Sequence, residues 1–302
     1  MLGITGGTGF VGKTLIRLAL SQGHRVRALT RSPQPEQDGV EWIAGALDRP
    51  ESLRALARGS DAVVHVAGVV NAGDRAGFEA GNVTGMLAMI EATRDAGVRR
   101  FVHVSSLSAR EPELSVYGWS KARGETLVQA SGLDWTIVRP PAVFGPGDRE
   151  MLDLFRMARR GFVLLPPEGQ ISVIEVSDLA RLLLAVLPAS EAQAQIFEAD
   201  DGTTGGWSHT GFGKAIGEAV GKDVTTLSAP APLLNLAARF DGFFRGSGAK
   251  LTADRVRYFC HPDWVIDPER RPPAALWRPA IETREGLKAT ALAYTEAGWL
   301  KP

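Results

Sequence analysis

Over the first 140 residues, short apolar runs alternate with amphipathic stretches. LGIT, RVRALT, VEWIA, DAVVHVA, RFVHVS and DWTIVRP have the dense aliphatic and aromatic content of buried strands. Between most of them lie segments such as FVGKTLIRLALSQG and NVTGMLAMIEATRDAG, in which apolar residues return every three or four positions, as on a helix that covers a sheet. Gly23 and Gly97 follow two of these helices at the C′ position, where a left-handed residue ends a helix. Regular βα alternation predicts an α/β fold built on a parallel, doubly wound sheet with helices on both faces.

The rhythm breaks after RPPAVFGPGD (139–148). Helical patterns then dominate, ISVIEV and QIFEAD are the only β-like runs, and Pro166-Pro167, Gly205-Gly206 and Pro272-Pro273 punctuate the chain. The pattern predicts two parts: residues 1–145 as a nucleotide-binding domain and residues 146–302 as a smaller, mostly helical substrate lobe over the carboxyl ends of the strands, with about 171–199 packing back on the first domain. APAPLLNLAARFDGFF (229–244), followed by Arg245 and Lys250, reads as a core helix of that lobe. A pocket wall for an apolar carbonyl compound, or a membrane-surface contact, is the alternative.

Composition narrows the function classes. The 302 residues are 44% hydrophobic, and positive and negative side chains balance at 34 each, so no global field favours nucleic acid or an anionic membrane. A small-molecule partner fits better. Cys260 is the single cysteine, which excludes an internal disulfide, and the sequence has no C-x-x-C or H-E-x-x-H spacing. The five histidines are scattered, so no metal site is expected. No run approaches the length of an integral membrane segment, and the first residues do not resemble a signal peptide, which points to the cytoplasm.

TGGTGFVG places Gly6, Gly9 and Gly12, with Thr8, Phe10 and Val11 among them, between the first strand and the first helix. In a Rossmann-type sheet this is the turn where glycines let the backbone approach a pyrophosphate and the helix terminus holds it. Near the end of the second strand, where an NAD site usually carries an acidic residue about 20 residues past the glycines, stand Thr30, Arg31 and Ser32. A guanidinium beside a hydroxyl suits the 2′-phosphate of NADP, which a carboxylate would repel.

In SSLSAREPELSVYGWSK (105–121), Tyr117 and Lys121 are four apart and share one face of a helix. A phenol titrating near pH 10 needs a neighbouring positive charge to work near neutrality, and Lys121 is placed to supply it. With three tyrosines and seven lysines in the chain, Y-x-x-x-K arises by accident only about 0.07 times.

TGGTGFVG, HVAG (65–68), Asn82, VSS at the end of the fifth strand, Y-x-x-x-K and RPPAVFGPGD in this order resemble the extended or atypical branch of the short-chain dehydrogenase/reductase superfamily, over residues 3–148. The resemblance implies Tyr117 as general acid/base with Lys121 as its partner. It implies that Asn82 orders a water and the lysine, and that Ser106 hydrogen-bonds the substrate oxygen, with Ser105 or Ser108 as alternatives. It also implies that Asp48, beside Leu47, meets the adenine amine, that Ala67, Gly68 and the backbone from Pro140 to Val143 wall the nicotinamide, and that a homodimer forms through residues 77–96 and 115–131.

The serine and tyrosine are closer together than in sugar-nucleotide epimerases of this branch, and the acidic residue that retains NAD is missing. Both departures favour an NADP(H)-dependent oxidoreductase acting on a carbonyl or hydroxyl of a small, apolar metabolite. The alternatives are a nucleotide-binding accessory or regulatory protein, resembling the complex I subunit or the NADP sensors, and a nucleotide-sugar epimerase or dehydratase.

Overall fold

The computed structural model describes residues 1–245 and 252–301. The chain divides into two compact units. The first comprises Met1–Pro140, Leu179–Glu198 and Glu269–Trp277; the second comprises Pro141–Asp178, Ala199–Pro268 and Arg278–Pro302.

The six apolar runs read from the sequence form β1 (Leu2–Thr5), β2 (Val26–Thr30), β3 (Val40–Ala44), β4 (Ala62–His65), β5 (Arg100–Val104) and β6 (Asp134–Arg139). The helices between them are α1 (Phe10–Ser21), α2 (Pro50–Ala57), α3 (Arg75–Glu79), α4 (Gly85–Asp95) and α5 (Val116–Gln129). Gly23 and Gly97 take φ of +80° and +71° just beyond α1 and α4, the left-handed caps that the sequence pattern predicts.

The second unit starts with β7 (Ala142–Phe144), α6 (Leu152–Arg159), β8 (Phe162–Leu165), β9 (Gln170–Ile171) and β10 (Val173–Glu175). After α7 (Val176–Ala185), the chain contributes β11 (Gln195–Glu198) to the first unit. It then forms β12 (Trp207–Ser208), α8 (His209–Ala219), β13 (Thr225–Ser228), α9 (Ala231–Arg245), α10 (Ala253–Phe259), β14 (Asp263–Trp264) and α11 (Thr283–Glu296).

The first unit holds a seven-stranded parallel sheet in the order β11-β6-β5-β4-β1-β2-β3. The strand order reverses between β1 and β4, and beyond the carboxyl ends at such a switch point lies the crevice where ligands bind in doubly wound sheets. Between the sheet and its helices, Leu53, Leu56, Val63, Met89, Phe101 and Ile137 are fully buried. Burial of such side chains is worth roughly 1.5–3 kcal/mol each.

The second unit has its own core around Phe144, Phe155, Phe212, Leu287 and Tyr294. Tyr294 packs edge-on against Phe155 and donates its hydroxyl to buried Asp148 at 3.0 Å. Trp264 and Trp277 are buried as well. The expectation of a core helix at 229–244 needs correcting: Leu233 and Leu236 on α9 are 56% and 50% exposed, so part of the apolar stripe faces outward. Lys250 lies outside the described residues. Among the described residues, no helix is long and apolar enough to cross a membrane.

Candidate active site

The glycine loop is shaped by close backbone approach. Gly6 has φ +72°, and a Cβ there would lie 2.7 Å from the amide nitrogen of Ala67 at the end of β4. A Cβ on Gly12 would lie 2.1 Å from the Gly6 carbonyl, so the first turn of α1 can rest on the loop only as glycine. Gly9 is the N-cap of α1, and neither a capping side chain nor an acidic residue occupies that first turn. The helix therefore presents free N–H donors and the positive end of its dipole, as an anion requires. Thr8 and Gly9 are exposed, while Phe10 and Val11 are half-buried at the helix start.

Arg31 and Ser32 are exposed in the turn after β2. The Thr30 hydroxyl donates to the Ser32 carbonyl at 2.6 Å and fixes that turn. Asp48 is exposed after β3, and Leu47 lies against Gly85 of α4.

β4 joins this cradle to the residues on α5. The Ala67 amide donates to Thr5 Oγ1 at 3.2 Å, and that hydroxyl lies 3.0 Å from His65 Nδ1. A Cβ on Gly68 would lie 3.2 Å from Asn82 Oδ1 and 3.6 Å from Lys121 Nζ, so Gly68, Asn82 and Lys121 converge. Asn82 sits in a π-helical turn, Ala80–Thr84, and clamps the strand end with its amide. Its Oδ1 accepts from the Val69 amide at 2.7 Å, and its Nδ2 donates to the Val69 carbonyl and to Ser120 Oγ. The side chain thus holds the loop after β4 and makes no hydrogen bond to Lys121.

Ser115 caps α5, the tyrosine helix, by accepting from the Gly118 amide at 2.9 Å. Of the three candidate serines, Ser106 is the one whose side chain acts on the Tyr117 pKa, drawing it down. Ser108 donates its hydroxyl to Ser106 Oγ at 2.9 Å, and Ser105 turns away to Glu125. Burial pushes the Tyr117 pKa above that of an ordinary phenol, and Ser106 draws it back only partly. The free protein therefore keeps Tyr117 as a neutral phenol through the neutral range.

Phe78 on α3 packs against the Tyr117 ring at 6.1 Å, and Arg75 lies 3.7 Å over the Trp119 ring, which pins α3 to the same turn of α5. Lys121 donates to the Val104 carbonyl at 2.9 Å. Burial lowers its pKa to about 8, against the opposing pull of Glu125.

Pro140 closes β6, and its carbonyl accepts from Leu107. Val143 belongs to the second unit, where it pairs with Ile174 across β7 and β10.

Sequence reading overlooked a buried polar layer behind these residues. His65 and His103 are neighbours on β4 and β5, with rings 5.8 Å apart. Burial first, and the Lys121 charge second, lower His65 to about 3, and the same two causes push His103 well below the usual imidazole range. Both ring nitrogens of His103 are buried without a hydrogen-bond partner. Farther along α5, Glu125 accepts from Ser105 at 2.5 Å and from two nitrogens of Arg139 at 2.9 and 2.6 Å. Arg139 also reaches Glu198 at 3.2 Å. Glu125 was visible in the sequence as the next step of the four-residue ladder through Tyr117 and Lys121. Among the described residues, no cluster of His, Cys, Asp or Glu could hold a metal ion.

A parallel sheet with a glycine cradle at its switch point and a Ser-Tyr-Lys cluster two strands away defines a dinucleotide-binding enzyme fold. Residues 6–188 match the family described as NAD(P)H-binding, and the chain belongs to it and to the extended short-chain dehydrogenase/reductase superfamily with its epimerase/dehydratase members. Ceramide reductase of Caulobacter vibrioides is 35% identical over 309 aligned positions, which span 99% of this chain and 96% of that protein. The 2-alkyl-3-oxoalkanoate reductase of Stenotrophomonas maltophilia is 31% identical, over 63% of this chain and 65% of its own length. The structure of MoeE5 in complex with UDP-glucose and NAD superposes with a TM-score of 0.73 at 22% identity, over 98% of this chain and 99% of that one, a likeness of fold alone.

Proposed function

We propose that the protein is an NADPH-dependent reductase of a ketone carried on a long-chain, lipid-like molecule of the ceramide class. The placement of Tyr117 one helical turn before buried Lys121 on α5, with Gly68, Asn82 and Lys121 converging at the end of β4, is the observation that carries this reading. The substrate class draws support from the ceramide reductase, which matches nearly the whole chain, and from the oxoalkanoate reductase, whose named substrate is also a ketone with alkyl chains.

The loop fits a dinucleotide: the bare Gly12 lets the first turn of α1 rest on the Gly6 carbonyl, and the donors at the start of α1 have no side-chain cap. Gly6, Thr8, Gly9, Phe10, Val11 and Gly12 would hold the pyrophosphate. Arg31 and Ser32 would take the 2′-phosphate of NADP, a preference supported by the absence of a carboxylate at residues 30–32. Leu47 and Asp48 would meet the adenine, and Ala67, Gly68 and Pro140 the nicotinamide side. When bound, the cofactor supplies the hydride.

Ser106 Oγ then donates a hydrogen bond to the ketone oxygen and polarises it. Tyr117 Oη passes its proton to the same oxygen, and carbonyl becomes alcohol. The Lys121 ammonium stabilises the phenolate left behind. Asn82 keeps the loop after β4 in place. A homodimer through residues 77–96 and 115–131, in the cytoplasm, completes the reading.

The test is NADPH and NADH oxidation over ketones of increasing chain length, with the alcohol identified by mass spectrometry. The expected result is turnover with NADPH on long-chain ketones. Turnover confined to UDP-sugars with retained NAD would replace this reading with an epimerase, and tight nucleotide binding without any turnover would replace it with an accessory protein.

A further inference from the structure

The loop that carries Ser106 is anchored at both ends by one buried chain of charges. Ser105, at the end of β5, donates its hydroxyl to Glu125 on α5 at 2.5 Å. Arg139, the last residue of β6, holds that carboxylate with two nitrogens and reaches Glu198, its register partner on β11, at 3.2 Å. The other oxygen of Glu198 faces Arg110 at 3.9 Å, at the far end of the turn that Ser106 opens. The side chains of Glu125 and Glu198 are 3% and 0% exposed, so the chain lies in the interior, where such contacts are strong and the loss of one partner is expensive. Lys121, one turn before Glu125, grips the Val104 carbonyl, so Lys121 and Glu125 hold the last residue of β5 and the one after it, immediately before Ser106.

We propose that Glu125 is a positioning residue: with Arg139 and Glu198 it fixes the Ser106 loop against the helix of Tyr117, and it supplies the buried negative charge that balances the Lys121 ammonium. The inference rests on the reading of Ser106, Tyr117 and Lys121 given above. The other ionisable groups around Lys121 do not take over this task. His65 on β4 and His103 on β5 are held neutral by burial, Tyr117 on α5 is a neutral phenol, Arg139 on β6 is a cation, and the Glu198 carboxylate on β11 is shared between Arg139 and Arg110. Removal of the Glu125 charge therefore leaves Lys121 with less compensation, and its ammonium loses its proton at lower pH.

The test combines Glu125→Gln, Glu125→Asp and Ser105→Ala in the full chain, with two readouts. One is the NMR titration of lysine labelled at the side-chain carbon, with the Lys121 signal assigned by its loss in Lys121→Met; this needs no turnover. The other is the pH profile of ketone reduction. Glu125→Gln is expected to lower the Lys121 midpoint, and the alkaline limb with it, by about one pH unit. Glu125→Asp, which keeps the charge, restores the midpoint. Ser105→Ala leaves the midpoint in place and lowers kcat about tenfold with the KM for NADPH unchanged, the amount expected from losing one placed hydrogen bond.

A Glu125→Gln protein that melts earlier but titrates Lys121 at the wild-type pH would overturn the electrostatic part. Wild-type kcat in Ser105→Ala would overturn the positioning part, and this variant decides the matter should Glu125→Gln fail to fold. A wild-type protein without turnover on any ketone contradicts the proposed function, while the NMR titration still decides the role of Glu125.

Discussion

The two ends of the candidate site, both in the first unit, are built in opposite ways. At the nucleotide end the work falls to backbone: Gly6 and Gly12 let the loop pack closely on the end of β4 and on α1, Gly9 leaves the start of α1 uncapped, and Arg31 stands exposed. At the chemical end nearly every polar atom is already engaged: Ser106 with Ser108, Lys121 with Val104, Asn82 with Val69, Glu125 with Ser105 and Arg139. An anion that arrives with its own charge needs donors left free, whereas a proton that must move at one atom needs partners fixed beforehand in a medium of low dielectric. The comparison predicts that changes at the first end act on binding and that changes at the second act on rate and on pH dependence.

The largest effect is expected at the chemical end. Tyr117→Phe should lower kcat on the order of a thousandfold, as befits a lost general acid, while the Kd for NADPH by fluorescence titration stays within about twofold. At the cradle, Gly12→Ala should weaken NADPH binding about a hundredfold, since its Cβ would overlap the Gly6 carbonyl, and the same titration reads it.

Acid stability tests the buried layer. His65 titrates near 3 in the folded protein and near 6.5 when unfolded, so its contribution is fully present above pH 6.5 and is lost as the pH falls toward 3. Between pH 6.5 and 5 this costs about 2 kcal/mol, seen as a fall in the urea midpoint that His65→Gln should flatten.

Arg31→Ala should raise the Kd for NADPH about tenfold and leave that for NADH unchanged. The smallest effect is in the wild-type pH profile, where reduction should fall to about half near pH 8 as Lys121 loses its proton. A flat profile through pH 9 would remove Lys121 from the chemistry and erase the contrast between the two ends.

The same contrast governs what the sequence made legible. The strands β1 to β6 and the glycine loop rest on local rules, periodicity and glycine spacing, and the fold expectation follows from them. Tyr117 and Lys121 were legible because a helix brings residues four apart onto one face. The pairing of Glu125 with Arg139 and of Arg139 with Glu198 was not, because it depends on the parallel register of β6 with β11, a strand more than fifty residues further along the chain. Ser106 was named from its place at the strand end, but the turn of Ser105 to Glu125 and of Ser108 to Ser106 was hidden, since it depends on side-chain direction at a short 3₁₀ turn. The core reading of 229–244 was preferred to its alternatives and missed the outward face of α9, because an apolar stripe has the same pattern whether it meets a core or solvent.

The most direct test follows the hydride itself. NADPH carrying deuterium at the transferable position of the nicotinamide is mixed with the protein and with a ceramide skeleton bearing a ketone, and the alcohol formed is analysed by mass spectrometry. The account predicts alcohol that carries the deuterium, formed in proportion to the NADPH consumed, and almost none with Tyr117→Phe. Alcohol without the label, or equal yields from the wild type and Tyr117→Phe, would contradict it.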